Sequence, residues 1–142
     1  LFIILGNQLF NPRLYFKQIS QYDFFLCEDY GLCSYVKHHK LKLLHVLSSM
    51  RLYRDELKSL GLKVHYNSIE DENFYEDYLE KLKKTLFKNK YKKLFFFEIE
   101  DKFFEKKLLT LNKDVEIEVL KSPMFIFDRK EFNEAIKKIK NL

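Results

Sequence analysis

The sequence is poor in residues that punctuate or cross-link a chain: three glycines, two prolines, two cysteines and no tryptophan in 142 residues. Gly6, Gly31 and Gly61 stand too far apart for a G-x-G-x-x-G turn, and no G-x-x-x-x-G-K-[ST] is present. Neither a dinucleotide of the NAD type nor a P-loop triphosphatase is therefore expected. The spacing of Cys27 and Cys33 matches neither a C-x2-C zinc knuckle nor a disulfide framework, so reduced thiols in a cytoplasmic protein are expected. No apolar run approaches the roughly 18 residues of a membrane span, and no signal-peptide pattern leads the chain, which argues against a membrane partner. The chain opens on LFIIL without methionine, as a trimmed start would. No Ser-His-Asp or Cys-His arrangement can be assembled from spacing, so no catalytic residue is assigned.

What is present is a globular composition, 46% hydrophobic and 33% charged, with fifteen phenylalanines and nine tyrosines. The length fits one domain, residues 1–142, around a single core. The net charge of +5 arises from 26 basic and 21 acidic residues, a surplus that allows nucleic acid as a partner without requiring it. Many lysines and phenylalanines beside few glycines also match AT-biased coding.

Continuous apolar runs at 1–5 and 23–29 read as strands buried on both faces, with a short helix starting near Pro12 between them. Apolar residues at 36, 43, 44, 47, 50, 53, 57 and 60 predict a long amphipathic helix from about Val36 to Leu60, stopped by Gly61. A strand at 63–68, a helix at 69–89, a strand at 93–99 and a helix at 101–112 come next. An alternating edge strand at 115–120 and a last helix at 131–142 complete the pattern. Strands alternating with helices predict an α/β fold: a three-layer Rossmann-like sandwich around a five-stranded parallel sheet of order 3-2-1-4-5. Ligands of such sheets sit beyond the carboxyl ends of the strands where the order reverses, here between strands one and four. That rule places Gly6, Asn7 and Gln8 at one lip of a crevice and Glu98 at the other.

Asn7 and Gln8 each offer a donor and an acceptor, suited to a heteroaromatic edge or a ribityl chain, though a capping and loop-closing role fits them equally. Glu28 and Asp29 end the second strand on the same rim, with Tyr30 able to stack on a flat ligand or Glu28 and Asp29 able to serve as loop caps. Two histidines and three lysines open the long helix in YVKHHKLK. His38 and His39 point about 100° apart and cannot form an i, i+4 zinc pair, whereas His38 and Lys42 share a face. His45 is expected to be partly buried, and His65 has no evident partner. The phenylalanines at 95–97 and 103–104 read as core.

ILGNQL and the stretch CEDYGLCSYVKHHKLKLLHVLSSMRLYRDELKSLGLKVHYNSI resemble the amino-terminal part of the deoxyribodipyrimidine photolyase-related family, which includes the iron-sulfur bacterial cryptochromes and (6-4) photolyases. The most specific piece is Y-V-x-H-H-K-x-K followed by S-x-M-R-x-[FY]-x-x-E-L-x-x-x-G. Here it is met by Tyr35, Val36, His38, His39, Lys40 and Lys42, then Ser49, Met50, Arg51, Tyr53, Glu56, Leu57 and Gly61. The resemblance implies the antenna-binding domain of a flavoprotein that acts in light-dependent DNA repair or blue-light signalling. It implies a ribityllumazine antenna in this domain, and FAD, a four-iron four-sulfur cluster and the DNA lesion site in a carboxyl-terminal helical domain absent from this chain. Gly6-Asn7-Gln8-Leu9 matches the family's G-D-Q-L, with Asn7 in place of aspartate. Glu28 matches the acidic residue closing strand two, and Tyr35, His38 and His39 match the helix-opening motif. Of the family's E-P-G-[ED]-[WY]-R after strand four, only Glu98 remains. By this resemblance Gly6, Asn7, Gln8, Glu28, Tyr35, His38, His39 and Glu98 are the candidate cofactor-binding residues. A chromophore-free nucleotide-binding or docking domain is the alternative, and direct DNA binding a third.

Overall fold

The protein is described from a computed structural model covering residues 1–16 and 19–140. Five parallel strands, β1 (Phe2–Ile3), β2 (Phe24–Cys27), β3 (Val64–Asn67), β4 (Lys93–Phe97) and β5 (Glu116–Leu120), form one sheet in the order β3-β2-β1-β4-β5. This is the 3-2-1-4-5 order read from the sequence. The most apolar runs occupy the centre: residues 1–5 and the whole of β2 are buried. β5 lies at an edge, where Glu116 and Glu118 face water and pair with Lys93 of the neighbouring strand.

Parallel strands need crossovers, and the helices supply them on both faces. Phe2, Ile4, Phe24, Leu26 and Phe97 pack against Tyr53 and Leu57 of α3 (Lys40–Ser59), reached after the short helices α1 (Pro12–Tyr15) and α2 (Tyr30–Ser34). Ile3, Leu5, Phe25, Leu94 and Phe96 pack on the other face against Leu79, Leu82 and Leu86 of α4 (Tyr78–Lys88) and Leu108 of α5 (Lys102–Leu109). Alternate residues of each central strand thus feed opposite cores, which makes the fold three layers deep. A final helix, α6 (Arg129–Lys140), comes after β5.

Capping side chains set several boundaries that apolar periodicity misplaces. The long helix begins at Lys40 and not at Val36, because His39 Nδ1 accepts the Leu41 N–H at 3.2 Å and caps it. Residues 30–34 form the separate helix α2, capped by Asp29. The helix read over 69–89 starts only at Tyr78, where Asp77 caps the Leu79 N–H at 2.8 Å, and turns occupy the residues before it. The helix read over 101–112 stops at Leu109 and continues as a 3-10 turn, Thr110–Lys113. The last helix begins at Arg129, two residues before the sequence reading, and positions 141–142 lie outside the described residues. Gly61 stands just past α3 at φ 74°, the left-handed conformation of a helix terminator.

Phe2 is the hub of the α3-side core. It is fully buried, stacks on Phe95 at 6.2 Å and meets Phe16 and Tyr22 edge-on at 4.9 and 5.4 Å. Replacing it with alanine should cost about 3–5 kcal/mol, read from the urea midpoint at unchanged denaturant slope.

Candidate functional site

At the carboxyl end of the sheet, beyond β1 and its hydrogen-bonded neighbours β2 and β4, a cleft of about 280 Å³ opens. That is near the lower limit for small-ligand pockets. Its apolar wall is one face of α3, Leu43, Val46, Leu47 and Met50, facing Leu5, Leu32, Ile99 and Phe104. Gly6 lets the loop after β1 approach this helix: a Cβ there would lie 2.9 Å from Met50 Sδ and 3.0 Å from Val46 Cγ1. The glycine read as a turn residue is therefore also a packing residue.

Glu28 forms part of the cleft wall, yet its carboxylate is turned to other work. Oε1 accepts from Arg51 Nε at 2.7 Å and from the Tyr66 hydroxyl, while Oε2 accepts from Arg51 Nη2 at 3.0 Å and the Ile69 N–H at 2.9 Å. Burial disfavours its charge, but these donors outweigh burial and hold the carboxyl below its ordinary 4.5. Every lone-pair direction of Glu28 is engaged, which leaves it as the strut joining β2, α3 and the turn after β3.

Asp29 beside it caps α2 through the Leu32 N–H at 3.0 Å and accepts from the fully buried Lys81 Nζ at 2.9 Å. Lys81 also donates to the Phe74 carbonyl at 2.8 Å. Next to this pair, burial foremost, with Asp29 and Glu28 reinforcing and Lys81 opposing, pushes the Cys27 thiol up to about 12. Cys27 is thus a neutral floor residue and no nucleophile.

The rim is polar and carries both signs. Asn7 Nδ2 donates to Glu100 Oε2 at 3.0 Å across one lip, with Asp101 next to it as the cap of α5. On the opposite lip Lys42 Nζ approaches His38 Nδ1, just before the helix, at 3.4 Å, and Tyr35 stands edge-on to His38 at 5.9 Å.

Of the residues read from the sequence, the cleft brings together Gly6, Asn7, Glu28, Tyr35 and His38. Gln8 lies outside it, fully buried, its Nε2 donating to the Glu98 carbonyl at 2.9 Å and its Oε1 without a partner. The side chain of Glu98 faces a different groove, shared with Phe125, Phe127 and Arg129, and His39 is spent on capping α3. Tyr30 packs on Phe74 and Tyr75 at 5.7 and 5.0 Å and away from the cleft. His45 is exposed, not partly buried, and His65 finds a partner in the Tyr91 hydroxyl at 2.8 Å. Sequence reading missed Glu100, Leu43, Val46 and Phe104. The near-helical spacing of 43, 47 and 50 marked an apolar helix face, but the pattern left out Val46 and did not show that part of that face would stay uncovered.

A family model described as deoxyribodipyrimidine photo-lyase-related protein matches residues 2–142. The chain belongs to this family. A (6-4) photolyase of Agrobacterium fabrum (strain C58 / ATCC 33970) is 37% identical over 73 residues, covering 50% of this chain and 14% of the relative. The matched part is thus a small fraction of that relative's length. In this photo-lyase-related chain the two cysteines cannot supply the four thiolates of a four-iron cluster, and among the described residues no group of three His, Cys, Asp or Glu side chains is placed to hold a metal ion. Nor is any described helix long and apolar enough to cross a membrane.

Two predictions test the struts beneath the cleft. Because Glu28 titrates below 4.5 when folded, its stabilisation is fully present above that value and fades as pH falls through the lower folded one. Glu28→Gln should cost about 2–3 kcal/mol at neutral pH, less than a fully buried pair because Arg51 keeps some solvent, and should flatten the acid limb of the stability profile measured by urea titration. Lys81→Met alone should cost about 3–5 kcal/mol by leaving Asp29 buried and unpaired. Combining it with Asp29→Asn, which keeps the helix cap, should recover much of that loss in a double-mutant cycle.

Proposed function

We propose that this chain is the amino-terminal antenna domain of a longer photolyase- or cryptochrome-like flavoprotein, acting in the cytoplasm in light-dependent DNA repair or blue-light signalling. The supporting observation is the cleft at the strand-order reversal: an apolar wall long enough for a flat ring, with a hydrogen-bonding rim of both signs. The donor set fits a ribityllumazine. Leu43, Val46, Met50 and Phe104 would take the heteroaromatic ring, and Asn7, Glu100, His38 and Lys42 would meet ring polar atoms and the polyhydroxyl chain. Bound there, such a chromophore would absorb blue light and pass the excitation to a flavin.

That role asks of the protein only rigid positioning. Asn7 and Glu100 hold one lip, while Asp29 caps the start of α2 and Glu28 ties down the middle of α3, the helices that flank the other. FAD, an iron-sulfur cluster and the DNA lesion would belong to the carboxyl-terminal remainder, and no residue of this chain is assigned a proton-transfer role.

Titrating the full-length protein with 6,7-dimethyl-8-ribityllumazine should give a saturable fluorescence change and a flavin excitation band at the lumazine's absorption. Leu43→Trp, which fills the cleft from the wall, should weaken that binding at least about tenfold, with the melting temperature shifting by only a few degrees. Uptake of adenine nucleotide with indifference to lumazine would overturn the antenna reading in favour of a nucleotide-binding domain.

A further inference from the structure

A second concave site lies at the β3 edge of the sheet and shares no residue with the cleft. It is a pocket of about 440 Å³ between β3 and the stripe of α4 that carries Lys81, Lys84, Thr85 and Lys88. Each residue lining it bears a side-chain nitrogen or hydroxyl, and none bears a carboxylate. Its cations are unequal. Lys81 is buried against Asp29, and Lys84 holds both carboxylate oxygens of Glu76 at 2.6 Å. Lys88 is exposed and has no carboxylate partner among the described residues. The Asn67 amide also lacks a side-chain hydrogen bond among the described residues, and Asn89 spends one amide N–H on the Thr85 carbonyl at 2.8 Å and keeps the other.

His65 decides what this pocket can receive. Its Nε2 stands 2.8 Å from the Tyr91 hydroxyl, which also meets Lys63 Nζ at 3.1 Å and Asp23 Oδ2. Lys63 can only donate. Asp23, which burial would raise but Tyr91 and Lys63 hold below its ordinary 3.8, can only accept. The single Tyr91 proton therefore goes to Asp23, and His65 must carry its own on Nε2 and donate it to the Tyr91 oxygen. That bookkeeping leaves Nδ1 with a free lone pair and no partner among the described residues. Burial foremost, then Lys63, with Lys88 adding and Asp23 opposing, keeps the imidazole below its ordinary 6.5 and so neutral at neutral pH. An anion beside the ring would offset that positive field and let Nδ1 take a proton from water, turning it into a charge-assisted donor.

We infer that the pocket between β3 and α4 is a binding site for a phosphate group, held by Lys88 Nζ, His65 Nδ1–H and the amide N–H groups of Asn67 and Asn89. Donors arriving from a strand on one side and a helix on the other match the several oxygens of a phosphate better than the two of a carboxylate. Lysines beside an open strand edge or a helix end also have structural uses. Neither use calls for a pocket lined without a carboxylate, or for a neutral imidazole with one nitrogen left free.

Diethyl pyrocarbonate acylates an imidazole only through an accessible, unprotonated nitrogen, which in His65 is Nδ1. Full-length protein is labelled at neutral pH in inorganic phosphate or in chloride of equal ionic strength and read by mass spectrometry, with the exposed His45 as internal reference. Once phosphate exceeds its dissociation constant several-fold, His65 should label at least about fivefold more slowly than in chloride, with His45 unchanged. Lys88→Gln should raise the phosphate concentration needed for that protection about tenfold. Equal labelling of His65 in the two salts overturns the proposal, as does protection that survives Lys88→Gln at unchanged concentration. A His65 that is unreactive in chloride overturns it too, since the site must be open to solvent. A short undamaged DNA duplex separates the sources of the phosphate. Protection by duplex that fades as salt rises assigns the site to a nucleic-acid backbone, and protection by inorganic phosphate but not by duplex assigns it to a small phosphate ligand. No lumazine is used, so the antenna reading stands or falls separately.

Discussion

The bidentate pair between Glu28 and Arg51 is the constraint on which the cleft depends. A carboxylate at the end of a central strand is taken out of water, and the guanidinium of a neighbouring helix, a tyrosine hydroxyl and a backbone N–H replace that water. Because the donors come from α3, β3 and the turn after β3, one charged group sets three separate pieces of chain relative to β2. Removing Arg51 would leave the buried Glu28 carboxylate poorly solvated, so the geometry is held by the cost of its alternatives more than by the net strength of the pair.

The rest of the cleft is built on that anchor. With α3 tied to the end of β2, its apolar face passes over the loop after β1 closely enough that a Cβ at position 6 would press on the Met50 and Val46 side chains. Asp29, one residue on, repeats the device on the opposite face of the sheet through Lys81 of α4. Neighbouring carboxylates on one strand point to opposite sides, and each binds a cation from a different layer. The Cys27 thiol between them is neutral, a setting that suits holding a ligand in place.

The number of strands and the burial of the first two were legible because they derive from apolar periodicity, which is a local property, and the strand order followed from the Rossmann-like topology expected of strands alternating with helices. Helix starts at residues 40 and 78 were not, because His39 and Asp77 decide them by capping and the same residues read as loop or helix surface in a linear pattern. The site was legible in part for a similar reason. Gly6 and Asn7 reach the cleft because they end a central strand at the reversal of strand order. Gln8, next in line, points away to the Glu98 carbonyl, a partner ninety residues distant.

The sequence by itself therefore determined the architecture and, by its resemblance to a family, where a ligand would be sought. What only the tertiary structure decided is which polar groups remain exposed at the cleft rim to meet one. Glu28, Gln8 and His39 are all available in a linear reading, yet folding buries the first two and uses the third to cap α3, leaving the rim to the exposed pairs Asn7–Glu100 and His38–Lys42. A polar group can meet a ligand only if it stays at the surface, and that depends on contacts between residues far apart in the chain.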